Sequence, residues 1–331
     1  MMRNTGAVYT EDVLSFDDVS NVSKNAPRTS IRKEVEILAV TVHLENLKDT
    51  LECLRSVRNS TGVKVVTVVF DNGSSDSMQI AKIHQAFPDA LCFRSKFNRG
   101  SAAGSNNAVR LGLDVFNPEF VFLVDNDCVL ESHALKEMIM SAHKLGSNAG
   151  VIGAKILYYR PANYVITTGG KYLWFLGLVT NSDANQIVTK GTVGNYSRDW
   201  VDGCAMLVPT SVIFRLGLLS EKSTGFEDQE FCNRVRANGL KVVCQTKAVV
   251  WHKVSGSKRA RVSKVDGVSV TDLRRYSDNM AKLSPHPVIT RMTSIVIGYP
   301  LMTLRYLLLT KDQALRFYYV KKLLATVIGA R

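Results

Sequence analysis

The chain has 331 residues and a formal net charge of +13, with 42 Lys and Arg residues against 29 Asp and Glu residues. Hydrophobic residues make up 46% and charged residues 21% of the chain, which is close to globular averages and excludes a disordered or collagen-like protein. This length suits one large or two modest domains, each able to bury a core. The six cysteines have no CxxC pair or zinc-ligand spacing, so we expect reduced core cysteines of a cytosolic protein.

The two ends of the chain differ in composition from its centre. Residues 1–35 are polar, carry both charge signs and lack the apolar core of a secretory signal, so we expect a polar N-terminal extension. Residues 257–331 are basic and have amphipathic patterns that predict helices. Their longest apolar tract, from Met292 to Leu304, is too short to span a membrane. Such helices fit an anionic membrane surface, a helical cap on the central region or a dimer interface.

The central region, residues 36–256, alternates between two kinds of pattern. Short β-branched apolar runs predict buried strands, and apolar residues with a period of about 3.6 predict helices. The predicted strands cover residues 36–42, 63–70, 90–94, 120–124, 151–157, 201–208, 241–244 and 248–251. The predicted helices cover residues 46–58, 77–87, 102–113 and 227–237. This alternation predicts an α/β domain with a mostly parallel, Rossmann-like sheet flanked by helices.

Acidic residues follow two of the predicted strands directly. Asp71 comes after the second strand, and Asp125 and Asp127 come after the fourth. In parallel α/β sheets, ligands bind outside the carboxyl ends of the strands. Two carboxylates separated by one residue suit Mg²⁺ or Mn²⁺, which prefer oxygen ligands and often bind substrate phosphates as well. Taken alone, this common tripeptide is more typical of a solvated turn that caps the next helix.

Further short motifs follow in a fixed order along the chain. They are Asp71–Asp76, Asn98-Arg99-Gly100, Asp125-Asn126-Asp127, Trp200–Met206, Gly225–Phe231, Arg234 and Trp251-His252. This order resembles the family 2 inverting glycosyltransferases with the GT-A fold, particularly the bacterial rhamnosyltransferase-like members that assemble surface polysaccharides. The resemblance covers about residues 36–256, and it is carried by the ordered set rather than by any one motif.

The resemblance implies a role for each of these residues. Asp71 would contact the nucleotide base, Asp125 would lie near the ribose, and Asp127 and His252 would bind Mn²⁺ or Mg²⁺. Asp228 would be the general base, with Glu227 as its helper acid. The other expected donor-binding residues are Thr41, Asn98, Arg99, Gly100, Asn126, Trp200, Asp202 and Gly203. From the residues alone, two alternatives stay open: Asp228 fits a helix-capping acid, and His252 fits a packed core histidine.

The resemblance also implies a substrate class and a location. The donor would be dTDP-rhamnose or another nucleotide-hexose, and the acceptor a hydroxyl of a glycan or of a polyprenyl-diphosphate-linked sugar. The enzyme would be cytoplasmic and peripheral at the inner face of the cell membrane, where basic residues favour anionic lipids. A polyprenyl-phosphate glycosyltransferase and a catalytically silent relative remain alternatives. The segment His43-Leu44-Glu45 departs from the family pattern, which usually places a Tyr against the nucleotide base.

Two other functional classes lack the sequence features that they need. A nucleotidylyltransferase would carry a Gly-rich, Lys-containing phosphate loop near the first strand, and residues 36–59 contain none. Nucleic-acid binding would need basic residues interleaved with aromatic residues on one face, or a known module, and the sequence predicts neither. We therefore expect no nucleic-acid partner, and a sugar transferase is the favoured function.

Overall fold

The computed structural model of the chain describes residues 19–21, 33–184, 186–187, 194–223, 225–254, 278–298, 300–301 and 304. The strands are β1 (Val19–Asn21), β2 (Lys33–His43), β3 (Val65–Asn72), β4 (Leu91–Ser95), β5 (Phe116–Val124), β6 (Cys128–Leu130), β7 (Ala149–Tyr158), β8 (Val165–Thr167), β9 (Tyr172–Leu173), β10 (Leu178–Val179), β11 (Asn195–Ser197), β12 (Ala205–Pro209) and β13 (Lys241–His252). The helices are α1 (Leu47–Arg58), α2 (Met78–Ala86), α3 (Ser101–Val115), α4 (Ala134–Leu145), α5 (Thr210–Leu216), α6 (Glu227–Ala237) and α7 (Pro287–Thr293), which continues into a π-helical turn at Ser294–Gly298.

The large sheet has the strand order β1-β4-β3-β2-β5-β12-β7-β13-β11, with β6 beside β13 and β8 beside β7. Strands β4, β3, β2 and β5 run parallel to one another, and β7 and β13 run parallel to each other. Strand β12 lies antiparallel between β5 and β7 and joins the two parallel groups. The predicted α/β class with a mostly parallel central sheet is confirmed.

Helices cover both faces of the sheet because its central strands are apolar on both sides. Ile37 and Ala39 of β2 pack into the core cluster that includes α1 and α4 residues such as Val57 and Met138. Leu38 points to the opposite face, where it contacts α3 at Gly112. A Cβ at Gly112 would come 2.6 Å from the Leu38 side chain, so the small residues of α3 permit its close approach to β2. Helices thus hold the central strands from both faces, and the candidate site lies where these strands end.

Several predicted element boundaries change in the structure. The two short strands predicted at 241–244 and 248–251 are one strand, β13, whose register shifts between Gln245 and Val249. Such an irregularity is typical of a β-bulge, and the polar residues there produced the apparent break in the sequence pattern. Helix α6 has the bounds that the sequence predicted, whereas β1, β6, α4 and α5 were not predicted. The strand predicted from Val201 begins only at Ala205, because 200–204 form a loop.

The chain divides into two compact units, of which Met1–Gly169 with Ser182–Lys253 is the first. The second unit consists of Gly170–Asn181 and Val254–Arg331, and it contains β9, β10 and α7. All candidate site residues belong to the first unit. The predicted boundaries at residues 35 and 256 stay predictions.

The predicted amphipathic tail, residues 257–331, is described only in part. Residues 278–283 and α7 are helical, and the remainder of that prediction lies largely outside the described residues. None of the described helices has the length and apolar character that crossing a membrane requires. Within the second unit, the backbone of Ser294 lies so close to Gly177 that a Cβ at Gly177 would come 2.3 Å from the Ser294 nitrogen.

Candidate active site

The candidate site lies at the edge of the sheet where β2, β3 and β5 end. His43 at the end of β2 pairs in register with Asp71 of β3. The backbone N–H of Asp125, just beyond β5, donates to the Cys204 carbonyl over 3.0 Å. The end of β13 reaches the same edge, because His252 pairs in register with Cys128 of β6. The sheet register thus brings together residues that are up to about 210 positions apart in the sequence, as parallel topology does in general.

Asp71 is fully buried, and protein groups bind both of its carboxylate oxygens. Oδ1 accepts the backbone N–H of Ser74 over 2.9 Å, and Oδ2 pairs with the Arg94 guanidinium on β4. Arg94 also donates to the Ser74 carbonyl over 2.7 Å, so one arginine holds both the acid and the turn after β3. The contact between Asp71 and a nucleotide base stays a prediction. Sequence reasoning missed Arg94, since its partner is set by the pairing of β3 with β4.

Asn72, the last residue of β3, organises the predicted donor-binding segment 98–100. Its amide nitrogen donates to the side chain of Asn98 over 3.2 Å and to the carbonyl of Gly100 over 2.9 Å. Its amide oxygen accepts the backbone N–H of Arg99 over 3.1 Å. Gly100 directly precedes α3. Its φ of +89° is a backbone conformation that residues with a side chain rarely adopt. The segment is therefore fixed at the N-terminus of α3, where backbone N–H groups and the helix dipole favour anions.

Asp125, Asp127 and His252 form a cluster in which the potential ligand atoms all lie within 4.8 Å of one another. Asp127 is 8% exposed and its Oδ1 lies 3.0 Å from His252 Nε2. Asp125 is exposed. The carbonyl of Asp127 also accepts the backbone N–H of Lys253 over 3.1 Å, which ties the loop after β5 to the end of β13. The predicted metal ligands Asp127 and His252 are thus brought together, with Asp125 beside them.

The chemistry of this cluster fits a hard divalent cation. Two carboxylates and one imidazole on a partly exposed edge leave further coordination positions for phosphate oxygens and water, as Mg²⁺ and Mn²⁺ require. Burial lowers the pKa of His252, but the nearby Cys204 sulfur and the hydrogen bond with Asp127 outweigh it and raise the pKa overall. Only the neutral imidazole binds a cation, so a low pH would oppose binding at this cluster.

Asp228 lies in the first turn of α6 and is held by two backbone hydrogen bonds. Its Oδ2 accepts the N–H of Gly203 over 3.0 Å, and its Oδ1 accepts the N–H of Gln229 over 2.8 Å. A Cβ at Gly203 would come 3.0 Å from the Cβ of Asp228, which is a tight contact, so glycine favours this close approach. The next residue, Cys204, is the one whose carbonyl binds Asp125. The carboxylate of Asp228 is thus linked through the 202–204 loop to the metal-binding cluster.

The environment of Asp228 raises the pKa of its carboxyl group to about 7. Burial is the largest cause, and the negative charges of Asp202 and Glu227 add to it, while the two backbone N–H groups oppose it. A carboxyl group with a pKa near neutrality can take up and release a proton at the operating pH. Perturbed carboxyl groups of this kind are typical of active sites.

Glu227 connects α6 to the N-terminus of α3. Its Oε1 accepts a hydrogen bond from the Ser101 hydroxyl over 2.5 Å. Its Oε2 is buried and has no hydrogen-bond partner within the part of the chain that the structure describes. Glu227 therefore offers one free acceptor beside Asp228, and the predicted role of helper acid stays a prediction.

The loop before β12 carries two more predicted donor-binding residues, Asp202 close to Asp228 and Trp200 in the protein interior. The side chain of Asp202 accepts the backbone N–H of Cys204 over 3.0 Å and lies close enough to Asp228 to raise its pKa. Trp200 is only 6% exposed, and its indole N–H lacks a hydrogen-bond partner among the described residues. Its ring is packed inside the first unit, so a donor contact by Trp200 stays a prediction that burial disfavours.

A buried polar network supports the first part of the site. The Thr50 hydroxyl on α1 lies 2.8 Å from His43 Nδ1 and accepts the side-chain N–H of Asn126 over 2.8 Å. Burial lowers the pKa of His43 although Asp71 opposes the change, so the imidazole is neutral at pH 7. Thr41 is buried beside the Cys53 thiol. The side chain of Asn126 thus binds a protein group, and its contact with a donor stays a prediction. Sequence reasoning missed Thr50, which binds Asn126, and His43, which binds Thr50.

Lys253 locks the end of β13 onto α1. Its ammonium group lies 2.6 Å from Asp49 Oδ1 and 2.6 Å from Glu52 Oε2. Glu52 also accepts the hydroxyl of Tyr159 over 2.7 Å. Since Lys253 directly follows His252, this ion pair network fixes the position of the histidine. The sequence marked Lys253 only as one of many basic residues, so nothing in its pattern pointed to this role.

Comparison with known proteins agrees with this geometry. Residues 37–266 match a family model described as "Glycosyltransferase like family 2". A solved structure described as "Crystal structure of GalNAc-T7 with UDP, GalNAc and Mn2+" is similar with a TM-score of 0.53 and 14% identity, over 82% of this chain and 57% of that chain. At this identity the likeness shows the fold alone, and it confirms the predicted GT-A fold. No curated protein matches the chain.

Proposed function

Because the chain belongs to the glycosyltransferase-like family 2, we propose that it is a metal-dependent inverting glycosyltransferase that moves a sugar from a nucleotide sugar to an acceptor hydroxyl. One observation carries this proposal above the others. The Asp228 carboxylate, with its pKa raised to about 7, is joined through Gly203 and Cys204 to the cluster of Asp125, Asp127 and His252. A base and a cation-binding set on one sheet edge are the groups that this reaction requires.

The reaction is an in-line displacement at the anomeric carbon. The acceptor oxygen forms a bond to that carbon as the bond to the diphosphate breaks, and the acceptor proton passes to an oxygen of Asp228. The two backbone N–H groups on Asp228 orient the carboxylate for this transfer. The nucleoside diphosphate leaves with the electron pair of the broken bond.

Negative charge develops on the diphosphate as it leaves. Asp127 and His252, with Asp125 beside them, would hold Mn²⁺ or Mg²⁺, and the bound cation supplies positive charge to the leaving group. The N-terminus of α3, with Arg99 and Gly100 fixed by Asn72, adds backbone N–H donors at the same edge. These donors suit phosphate oxygens because they need no rearrangement to face an anion.

The finer parts of the proposal concern donor and acceptor. Family resemblance supports dTDP-rhamnose or another nucleotide-hexose as donor, and the solved neighbour is a complex with UDP, so UDP-sugars belong in the same test. The proposed acceptor is a hydroxyl of a glycan or a lipid-linked sugar in cell-surface polysaccharide synthesis. The His43-Leu44-Glu45 turn, which is tied to the 71–76 turn by Glu45 and Ser75, takes the place of a stacking tyrosine.

We further propose a cytoplasmic location at the inner face of the membrane. Six buried free cysteines suit a reducing compartment. Val288, Met292 and Val296 follow one another at intervals of four along α7 and its continuation, and they are 72%, 64% and 72% exposed. An exposed apolar stripe on a helix in a basic region is typical of interfacial attachment and favours a lipid-linked acceptor.

A donor-hydrolysis assay tests the proposed activity without knowledge of the acceptor. The purified protein is incubated with UDP-, dTDP- and GDP-sugars and Mn²⁺, and the released nucleoside diphosphate is measured. We expect release from one donor class, its loss with a chelator, and a rate in D228N that is lower by about 10²-fold or more, because general bases contribute that much. D89N, at an exposed turn, is the matched control. Release that persists in D228N would contradict the role of Asp228, and release from no donor would contradict the activity.

A further inference from the structure

A second potential metal-binding set shares one residue with the first. The sulfur atoms of Cys128 and Cys204 and a ring nitrogen of His252 all lie within 4.8 Å of one another. We propose that these three residues form a binding site for a thiophilic divalent cation such as Zn²⁺, and that its occupancy takes His252 away from the hard cation at Asp127. Neither thiol is in a disulfide bond, and the sequence predicted both cysteines only as core residues.

The sheet register builds this cluster directly. Cys128 begins β6 and pairs in register with His252, the last residue of β13. Cys204 immediately precedes β12, and its carbonyl accepts the backbone N–H of Asp125 over 3.0 Å. The N–H of Cys128 in turn donates to the carbonyl of Asp125 over 3.0 Å. Strand pairing therefore holds Cys128 and His252, and a backbone hydrogen bond to Asp125 holds Cys204 at the start of β12.

The separations suit tetrahedral coordination. Zinc bond lengths of about 2.3 Å to sulfur and 2.0–2.1 Å to nitrogen place neighbouring ligand atoms about 3.5–3.8 Å apart. The three atoms already lie within 4.8 Å of one another, so atomic shifts of up to about 1 Å complete the geometry. The two thiols also form a hydrogen bond with each other. They release their protons to solvent as the cation binds.

The fourth ligand and the access path come from the exposed side of the cluster. His252 has a side chain that is 13% exposed, whereas Cys128 and Cys204 are 0% and 2% exposed. Asp127 Oδ1 lies 3.0 Å from His252 Nε2 and is a carboxylate that could complete the tetrahedron. A cation therefore enters past Asp127 and His252 and meets the sulfur atoms behind them.

The two sets differ in the metal that they select. Carboxylates with one imidazole suit Mn²⁺ and Mg²⁺, while two thiolates with one imidazole suit Zn²⁺ and Cd²⁺. A single histidine serves both sets, so filling the sulfur set weakens the oxygen set. Inhibition by Zn²⁺ rests on the proposed glycosyltransferase activity, whereas binding of the cation does not.

Cobalt spectroscopy tests the binding itself. Co²⁺ is titrated into the metal-free full chain, and the near-ultraviolet absorption that marks cobalt–thiolate bonds is recorded. We expect a saturable band in the wild type and in C244S, a buried thiol on β13 outside the cluster, and its loss in C128S and C204S. No band in the wild type, or an unchanged band in both cluster variants, would overturn the proposal.

A cadmium measurement keeps the test valid if a cysteine variant fails to fold. The ¹¹³Cd resonance of Cd²⁺ bound to the wild-type chain moves far downfield when thiolates are ligands, and we expect that position. A resonance typical of oxygen and nitrogen ligands alone overturns the site.

A kinetic arm then separates this proposal from the proposed function. With a fixed Mn²⁺ concentration, we expect half-inhibition of C128S to need about tenfold more Zn²⁺ than the wild type, each compared with its own uninhibited rate. If the cobalt–thiolate band appears but transferase activity cannot be measured, the metal-binding site stands and only the proposed glycosyltransferase function is contradicted. Equal Zn²⁺ sensitivity in both proteins would overturn the inhibitory consequence.

Discussion

At the residue scale, the central group is Asp228. It is an acid at the start of a helix, where the helix dipole favours the ionised form, yet burial and the charge of Asp202 raise the pKa of its carboxyl group to about 7. The two backbone N–H donors prevent a larger rise. This balance leaves a carboxylate that is ionised in part near neutral pH and is oriented by Gly203 and Gln229.

The raised pKa of Asp228 predicts a pH profile. Only the ionised carboxylate accepts a proton, so kcat/KM should fall as the pH decreases through about 7 and level off above it. Initial rates between pH 5 and 9 at saturating Mn²⁺ measure this. A profile that is flat down to about pH 5, the range of an ordinary carboxyl group, would contradict the assignment.

The sequence predicted Asp228 as the base, but it could not predict what tunes it. Its position came from the ordered motifs, whereas the contact with Gly203 depends on how the 200–204 loop meets α6. The same holds for Asp71, whose partner Arg94 is fixed by the pairing of β3 with β4. Likewise, Cys128 and Cys204 are correctly read as free core thiols, but only the register of β6 with β13 places them beside His252.

At the element scale, the turn after β3 sets the shape of the donor side of the site. Gly73 has φ +84°, and a Cβ there would come 2.5 Å from the backbone carbon of Phe97. The turn and the segment that leads to Gly100 therefore touch through their backbones. Only glycine permits both the conformation and the approach.

Comparing alanine substitutions at Gly73 and Gly239 should separate the cost of the backbone conformation from the cost of the collision with Phe97. The left-handed conformation alone costs about 1–2 kcal/mol in free energy of unfolding, and the collision with Phe97 adds to that cost. G239A is the matched control, because Gly239 has φ +77° with open space around its Cβ position. Urea denaturation should show a larger loss for G73A than for G239A. Equal losses of unfolding free energy in the two variants would contradict a tight backbone contact between Gly73 and Phe97.

The strand elements were predicted well where apolar runs were continuous, and less well where polar residues interrupt them. β13 was divided at Gln245–Lys247 because its bulge carries polar side chains. Helix α4 was not predicted, although Leu135, Met138 and Ile139 on one of its faces are buried. Local patterns give the elements, whereas strand order and register require the whole sheet.

At the scale of the whole molecule, charge and exposed apolar surface predict membrane attachment. The segment from residue 284 to the end has seven basic residues and one acidic residue. α7 and its continuation expose Val288, Met292 and Val296. Basic residues near an anionic surface contribute about 1 kcal/mol each at most, and buried apolar area adds to this.

Liposome flotation tests this attachment. We expect the full chain to float with vesicles that contain anionic lipid, and to float less as salt rises or when Met292 is replaced by Glu. M140E, which introduces the same charge at a 54% exposed methionine on α4, is the matched control and should float like the wild type. A wild-type chain that stays entirely with the free protein would contradict membrane attachment, and equal flotation of M292E would exclude α7 as its site.

The measurement that tests the central claim most directly is calorimetric titration of UDP, dTDP and GDP into the protein with and without Mn²⁺. If the cluster at the sheet edge binds the cation that holds a nucleotide diphosphate, one nucleotide should bind with Mn²⁺ and bind at least about tenfold more weakly without it or in D127A. Binding that is equally tight without Mn²⁺ and in D127A, or no binding to a chain shown to be folded, would contradict the metal-dependent glycosyltransferase.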